Sequence, residues 1–389
     1  MSRQNINVIL LAICQALMMT ANSLLITTSA LVGIVLAPAA QYATVPLGLQ
    51  FLAMTTVAMP ASLLMKRIGR QRAFLLSSVV AIAGAIISSL AISQGDFWLF
   101  TVGVVCLGVF NGFGQFYRFA AADVALPSFK NKAISLVMAG GVVAALAGPN
   151  LAAFTRDWIA DTAFLGSYIS LIGVYLITFL VLLNLKMPVT RSEESQSAGR
   201  SLAEIINQPV FIVAVCSGMV SYGVMNVIMT ATPLDMELNG LSFNDTAFVI
   251  QWHVLGMFAP SFFTGSLINR FGATGIIRTG IVAILICIGL NLIDTSLLVY
   301  WVALTLLGIG WNFMFIGGTT LLTNAYQAPE KAKTQGCNDL MVFSVVTVTA
   351  LSSGYLHHSA GWAIINLGAF PFLLIVFALT VWYRPRLPN

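Results

Sequence analysis

The chain has 389 residues, of which 58% are hydrophobic and only 8% are charged. A soluble domain normally carries about 25% charged residues, so these few charges could not cover the surface of one or two soluble domains. The formal net charge of +5 is not a sign of nucleic-acid binding, because the placement of Lys and Arg matters more than their sum in a membrane protein.

Long apolar runs recur along the whole chain. A bilayer core about 30 Å thick needs roughly 20 apolar residues of helix, so each run predicts one membrane span, including the first, which is too long for a signal peptide. The predicted spans, numbered one to twelve, are 7–36, 44–65, 73–93, 97–120, 133–155, 163–185, 209–232, 245–268, 274–293, 297–324, 335–356 and 362–383. The sequence therefore predicts an all-α polytopic membrane protein with twelve transmembrane helices.

The basic residues predict the orientation of these spans. If the N-terminus is cytoplasmic, every Lys and Arg except Arg156 falls on the cytoplasmic side, as the positive-inside rule requires. We therefore expect a multi-pass protein of a bacterial inner membrane with both termini in the cytoplasm. The outer connections carry acids such as Asp235 and Glu237, and we expect the adjacent His357 and His358 to lie in a solvated outer loop.

The longest polar segment lies between spans six and seven. It is rich in Ser and charged residues, which predicts a cytoplasmic linker over 186–208. Ser201 and Glu204 have the spacing of a capping box, so we expect a short helix to begin there. The linker divides the chain into an N-terminal six-helix bundle, 1–185, and a C-terminal six-helix bundle, 209–389.

The second half repeats features of the first. The basic hairpin that ends at Gly69, Lys-Arg-Ile-Gly, has a counterpart that ends at Gly272, Asn-Arg-Phe-Gly. Span four contains LGVFNGF from Leu107, and span ten contains LGIGWNF from Leu307. Parallel six-span repeats with short basic hairpins are typical of secondary transporters.

The first hairpin carries a resemblance to the major facilitator superfamily. Members of that family commonly show Gly-x-x-x-Asp-Arg-x-Gly-Arg-Lys/Arg between helices two and three. In this chain Arg67, Gly69 and Arg70 match that motif, whereas Ser62 replaces the first Gly and Lys66 replaces the acid.

Further motifs extend the resemblance over the whole chain. The second hairpin keeps Arg270 and has Asn269 at the acidic position. The turn from Asp123 to Ala133 resembles the family's turn after helix four, and the residues around Gly148 in span five resemble the Gly-Pro motif of its antiporters, with Ala at three Gly positions. The resemblance implies two six-helix halves around a central site, and transport by alternating access.

Polar residues inside the spans are the candidates for that site, because a polar group at membrane depth is costly unless it faces a cavity or another helix. The resemblance implies that helices one, four, seven and ten line the site most directly. The alternative for each polar residue is a hydrogen bond between helices, worth about 0.6 kcal/mol on average, and for Trp311 it is packing. The candidate substrate-binding residues are Asn22, Asn111, Gln115, Tyr222, Asn226, Trp311 and Asn312.

Two ionisable residues are further candidates. His253 lies near the middle of span eight, and imidazole suits proton exchange near neutral pH, so we predict a proton-coupling or substrate-binding role. The alternative is a hydrogen-bonded histidine packed beside Trp252. Arg118, near the cytoplasmic end of span four, is a candidate for attracting an anionic substrate, and the alternative is an ion pair with Asp123.

The hairpins also predict a conformational latch. In related transporters the acid at the position of Lys66 is thought to dock on the cytoplasmic start of helix eleven, and here that start carries Asp339. We therefore expect a latch with exchanged charges, in which a basic residue of the hairpin pairs with Asp339 in the outward-facing state and Asp123 steadies the hairpin. The predicted latch comprises Lys66, Arg67, Gly69, Arg70, Asp123, Arg270 and Asp339.

These features predict a transporter rather than an enzyme. The sequence shows no phosphate-binding loop, metal-ligand cluster or nucleophile with a partner, so we expect neither cofactor nor ATP. No carboxylate lies near the centre of a predicted span, which favours a neutral, aromatic or anionic substrate. Our main hypothesis is proton-coupled efflux of a small organic molecule, and the alternative is uptake of a vitamin-like, aromatic or anionic nutrient. We expect a monomer in the bilayer, with no nucleic-acid partner.

Overall fold

The structure is a computed structural model in which α-helices are joined by short connections. It describes residues 3–125, 133, 136–137, 139–160, 162–187 and 199–383. This described part contains no β-strand, so the predicted all-α fold is confirmed. Most of the predicted turn after span four and of the predicted linker lies outside the described residues.

Spans one to six follow the predicted order with small changes of bounds. Span four is interrupted near Gln115, and only the second part of span five is a continuous described helix. The six spans are Arg3–Leu36, Val45–Ile68, Arg70–Gln94, Phe97–Gly114 with Tyr117–Val124, Gly140–Thr155, and Leu165–Leu183.

Spans seven to twelve follow a short linker helix, Leu202–Ile206, whose N-cap Ser201 accepts from the Glu204 N–H as the capping pattern predicts. Span eight is bent by 44° between two helices, and Gly361 breaks one long helix into spans eleven and twelve. The spans are Pro209–Leu238, Phe243–Phe258 with Ser261–Phe271, Ala273–Ile293, Leu297–Leu322, and the two parts of Lys331–Trp382.

The helix lengths agree with twelve membrane crossings. Among the described residues, nine helices are long and apolar enough to cross a membrane, and the bent pair of span eight makes ten. The helix that breaks at Gly361 accounts for two crossings, and Gly140–Thr155 supplies the remaining one.

The two basic hairpins share one backbone geometry. Gly69 has φ 85° and ψ 153°, and Gly272 has φ 76° and ψ 153°. An L side chain is strained at such a positive φ, whereas Gly is not. Each of these Gly residues ends one span and begins the next, which explains why both hairpins keep it.

The bundle has two ends of different charge. The end that carries Gly69, Lys186 and Gly272 is called the basic end, and the opposite end, which carries Asp96 and Asp294, is called the acidic end.

Spans one to six contact spans seven to twelve at the acidic end. The Gly354 N–H donates to Thr44 Oγ1 at 3.1 Å. The Phe164 ring packs edge-on against Phe243 with 5.0 Å between centroids, and the Arg156 guanidinium lies 5.2 Å and 5.1 Å from these two rings. These contacts close the acidic end of the structure.

The end of the linker is tied to the connection between spans ten and eleven. The Glu330 carboxylate is buried, and it accepts from the Arg200 backbone N–H at 2.7 Å, from Arg200 Nε at 2.9 Å and from the Gln327 N–H at 2.9 Å. The Arg200 guanidinium, and then the Gln327 N–H, lower the pKa of Glu330 to about 2 from its usual 4.5.

We predict that Glu330→Gln lowers the thermal unfolding temperature of the purified protein at neutral pH, since the Arg200 guanidinium loses its charged partner. The Glu330 pKa is lower in the folded state, so its stabilisation is present above pH 4.5 and is lost as the pH falls toward about 2. The difference in unfolding temperature between parent and variant should therefore shrink over this pH range. Asp157→Asn, at an exposed carboxylate, is the control, and a pH-independent difference would contradict the assignment.

Candidate functional site

An amide network links spans one, two and four. Asn22 Oδ1 accepts from Gln50 Nε2 at 2.9 Å and from Asn111 Nδ2 at 3.0 Å. Gln50 and Asn111 are 1% and 3% exposed, and their own amide oxygens have no hydrogen-bond partner among the described residues. Two of the predicted site residues, Asn22 and Asn111, are therefore in direct contact, and they are joined by Gln50, which the sequence analysis did not select.

The position of Gln50 corresponds to that of His253 in the second half. These residues are 203 positions apart, as are Gly69 and Gly272. A Cβ on Gly108 would lie 2.3 Å from the Gln50 carbonyl oxygen, and a Cβ on Gly308 would lie 2.3 Å from that of His253. The same close helix packing thus places an amide in one half and an imidazole in the other.

His253 is enclosed between spans eight and ten. The side chain is fully buried, and Nδ1 lies 2.8 Å from the Leu304 carbonyl oxygen. Nε2 has no hydrogen-bond partner among the described residues. The structure therefore places His253 at the contact between spans eight and ten.

Asn226 and Asn312 each connect helices. Asn226 Nδ2 donates to the Val346 carbonyl and to Thr349 Oγ1, both at 3.1 Å, and so joins spans seven and eleven. Asn312 is fully buried at the bend of span eight, where three hydrogen bonds hold it. Its Nδ2 donates to the Met257 carbonyl at 2.6 Å and to Ser261 Oγ at 2.7 Å, and its Oδ1 accepts from Thr264 Oγ1 at 2.7 Å.

An aromatic cluster lies on spans seven and ten. The Trp311 and Phe315 rings are stacked with 5.2 Å between centroids and an angle of 11°. Tyr222 packs edge-on against both, at 4.9 Å and 5.0 Å, and Phe258 and Phe343 extend the cluster. Trp311 Nε1 has no hydrogen-bond partner among the described residues.

The amide network and the aromatic cluster lie at similar depth. Asn22 precedes the acidic end of span one by 14 residues, and Trp311 follows that of span ten by the same number. At 1.5 Å per residue both lie about 21 Å from the acidic end. At this depth the N-terminal half therefore contributes amide side chains, and the C-terminal half contributes aromatic rings.

Arg118 and Gln115 lie toward the basic end of span four and are partly exposed. The Arg118 guanidinium lies 4.8 Å from the centroid of the Phe119 ring, and both Tyr222 and Asp339 are within its electrostatic range. The positive charge of Arg118 therefore acts on Tyr222 of the aromatic cluster as well as on Asp339.

The latch residues lie at the basic end. Arg70 Nη2 pairs with Asp123 at 2.5 Å, so the alternative pair of Asp123 with Arg118 is not formed. Arg67 and Asp339 are exposed, and the Asp339 carboxylate accepts from Asn338 Nδ2 at 3.1 Å. Arg270 lies over the ring of Phe271.

The expectation of a solvated loop at His357 is wrong. His357 is 8% exposed inside the helix of span eleven, and its Nε2 lies 2.8 Å from Asp235 Oδ1. Asp235 is also buried, inside the helix of span seven. The apolar runs placed both residues at span ends, but the sequence does not show that spans seven and eleven meet there. His358 is exposed, as expected.

A separate apolar cavity of about 380 Å³ lies between spans seven, eleven and twelve. Met219, Val345 and Phe372 are among the residues that line it, and Tyr222 and Trp311 are not. The cavity therefore does not belong to the site formed by the amide network and the aromatic cluster.

A family model, a related sequence and solved structures each match nearly the whole length of this chain. The model of the Major Facilitator Superfamily matches residues 11–316 and 214–389. The riboflavin transporter RfnT of Brucella anthropi is 40% identical over 383 residues, which are 98% of this chain and 96% of that protein. The solved structure of the nucleoside transporter NupG has a TM-score of 0.74 at 13% identity and covers 97% of this chain and 100% of its own. A bacterial homologue of the lysosomal transporter Spinster, inward-facing and unoccupied, has a TM-score of 0.71 at 14% identity, with 99% of both chains covered.

We predict that Asp339→Lys slows transport by proteoliposomes and that Lys66→Asp in the same chain restores it. An exposed ion pair contributes up to about 1 kcal/mol, so the expected effect is roughly fivefold in the equilibrium between conformations. Both rates are measured by uptake of labelled substrate. A silent Asp339→Asn variant would contradict a latch with exchanged charges.

Proposed function

Because this chain belongs to the major facilitator superfamily, we propose that it transports riboflavin or a closely related flavin across the membrane by alternating access. The observation that carries the proposal is the 40% identity to a riboflavin transporter over 98% of the chain. In this proposal the protein is a transporter rather than an enzyme, and it works as a monomer in a bacterial inner membrane. Its N-terminal bundle (1–185) and its C-terminal bundle (209–389) rock against each other.

The aromatic cluster supports a planar substrate. Trp311 and Phe315 present nearly parallel rings, and Tyr222 holds them edge-on. A planar tricyclic ring can stack on such a surface, and each aromatic contact is worth about 0.5–1.5 kcal/mol beyond the area it buries. The Trp311 N–H has no acceptor among the described residues and can donate to a ring carbonyl.

The amide network supports a substrate with a polar edge. The oxygens of Gln50 and Asn111 have no protein donor in the described residues, and the imide N–H of a flavin ring can supply one. Unmatched buried polar groups give a site its selectivity, because a ligand that lacks the complementary group leaves them unpaired. Arg118 and Gln115 lie on the route from the basic end, where a positive charge suits the carbonyl-rich ring.

The direction of transport is inferred from the class of substrate. A vitamin that a cell consumes must enter it, so the similarity to a riboflavin transporter supports the uptake hypothesis over efflux. The antiporter motif of span five, with Ala at three Gly positions, is weak support for export. With the basic end in the cytoplasm, the closed acidic end is the end on the opposite side of the membrane.

We predict that proteoliposomes preloaded with riboflavin accumulate labelled riboflavin by counterflow and that Trp311→Ala reduces the initial rate about tenfold, since one stacking contact of up to 1.5 kcal/mol is lost. Trp98→Ala is the matched control, because Trp98 is 62% exposed on the outside of the bundle. Absence of counterflow in the parent protein would overturn the proposal of a flavin substrate.

Proton coupling is tested separately with a pH gradient. If flavin accumulation follows the gradient and His253 carries the proton, His253→Gln should abolish the gradient-driven component and leave counterflow unchanged. If gradient-driven accumulation survives in this variant, His253 has the structural role that its enclosed position between spans eight and ten favours.

A further inference from the structure

A buried carboxylate–imidazole pair lies near the acidic end of spans seven and eleven. Asp235 and His357 are 6% and 8% exposed, and His357 Nε2 lies 2.8 Å from Asp235 Oδ1. Asp235 is four residues before Asn239, which caps span seven, and His357 is four residues before the break at Gly361. The pair is thus one helical turn inside the end of the bundle.

Three spans converge on the Asp235 carboxylate. The fully buried Tyr300 of span ten donates its O–H to Asp235 Oδ2. Asn239 Nδ2 donates to the Asp235 backbone carbonyl at 2.8 Å and to Asp235 Oδ2 at 3.4 Å, and it lies 3.3 Å from the Tyr300 hydroxyl. The carboxylate is therefore held by donors from its own helix, span ten and span eleven, which is more support than an incidental surface contact receives.

The other titratable groups near this cluster are at the surface. Glu237 of span seven, Asp294 before span ten and His358 of span eleven are exposed. The connection between spans one and two, which packs on span eleven, carries no acidic or basic residue, and Tyr42 there is exposed. Arg156 of span five is held over the rings of Phe164 and Phe243. His357 is therefore the basic side chain in direct contact with the buried Asp235.

The charge of His357 decides the net charge of this buried site. When the imidazole is protonated, the pair with the Asp235 carboxylate is neutral overall. When it is unprotonated, a carboxylate is left without a countercharge, and burial penalises an uncompensated charge strongly. Loss of the proton therefore favours any conformation in which water reaches the pair.

The pair is connected to the closed acidic end through span eleven. Gly354, three residues before His357, donates its N–H to Thr44 Oγ1 at 3.1 Å. A Cβ on Gly354 would lie 2.8 Å from that hydroxyl, so the two helices are as close as a glycine permits. A small shift of span eleven away from span seven would break this contact between the two halves of the chain.

We propose that Asp235 and His357 form a proton-binding site that locks the acidic end closed. With a proton bound, the ion pair holds spans seven and eleven together and keeps Gly354 against Thr44. When the proton leaves, the uncompensated carboxylate draws in water and the acidic end opens. The proton is the ligand of this site, and the inference does not depend on which substrate is carried.

The test is a distance measurement across the acidic end. Spin labels are placed at Val35 and Leu238, the exposed ends of spans one and seven, in a chain whose five Cys are replaced by Ser. Distances are measured in nanodiscs over about pH 5.5 to 8.5. We expect the short-distance population to dominate at low pH. The ratio of long to short distances should rise by up to about tenfold per pH unit, as release of one proton allows.

Two substitutions of the same residue give opposite results if the proposal holds. His357→Gln, which is never charged, should show the long distance at every pH, and His357→Lys, which stays charged, should show the short one. His358→Gln is the control at the adjacent exposed histidine and should titrate like the parent. A parent without pH dependence, or a His357→Gln variant that titrates like the parent, overturns the proposal. No substrate is added, so failure here is distinct from failure of flavin counterflow.

Discussion

The structure depends on one constraint: a polar group at membrane depth must find its partner inside the protein, because the lipid offers none. Asn226 meets this requirement by joining span seven to span eleven, and Asn312 meets it at the bend of span eight. His253 uses the Leu304 carbonyl in the same way. These candidate residues thus serve as links between helices, and the amide oxygens of Gln50 and Asn111, the Trp311 N–H and His253 Nε2 have no partner among the described residues.

The repeated halves use the same packing for different chemistry. Gly108 and Gly308 bring a helix against the backbone of Gln50 and of His253, respectively, at a distance that a larger residue would not allow. Since the backbone contact is made by glycine, the side chain of the facing residue can change without changing the fold. One half has used this freedom for the Gln50 amide, which joins the amide network, and the other for the His253 imidazole.

The closed end combines apolar, cationic and strained features. Phe164 has φ 68°, and it is the non-glycine residue with a positive φ in the described part of the chain. Such a backbone costs about 1–3 kcal/mol and persists only where the surroundings hold it. Here the Phe243 ring and the Arg156 guanidinium hold it. The backbone conformation of Phe164 is therefore tied to the contact between spans one to six and spans seven to twelve.

The sequence by itself determined the twelve spans, their order, the capped linker helix and the two glycine hairpins. These follow from local properties: the length of apolar runs, the capping chemistry of Ser201 and the backbone freedom of Gly69 and Gly272. The tertiary structure decided which polar groups meet. Gln50 joined Asn22 and Asn111, Asp123 paired with Arg70, and Asp235 was buried with His357. Each of these contacts depends on which helices lie side by side and at what rotation, and a run of apolar residues carries no record of that.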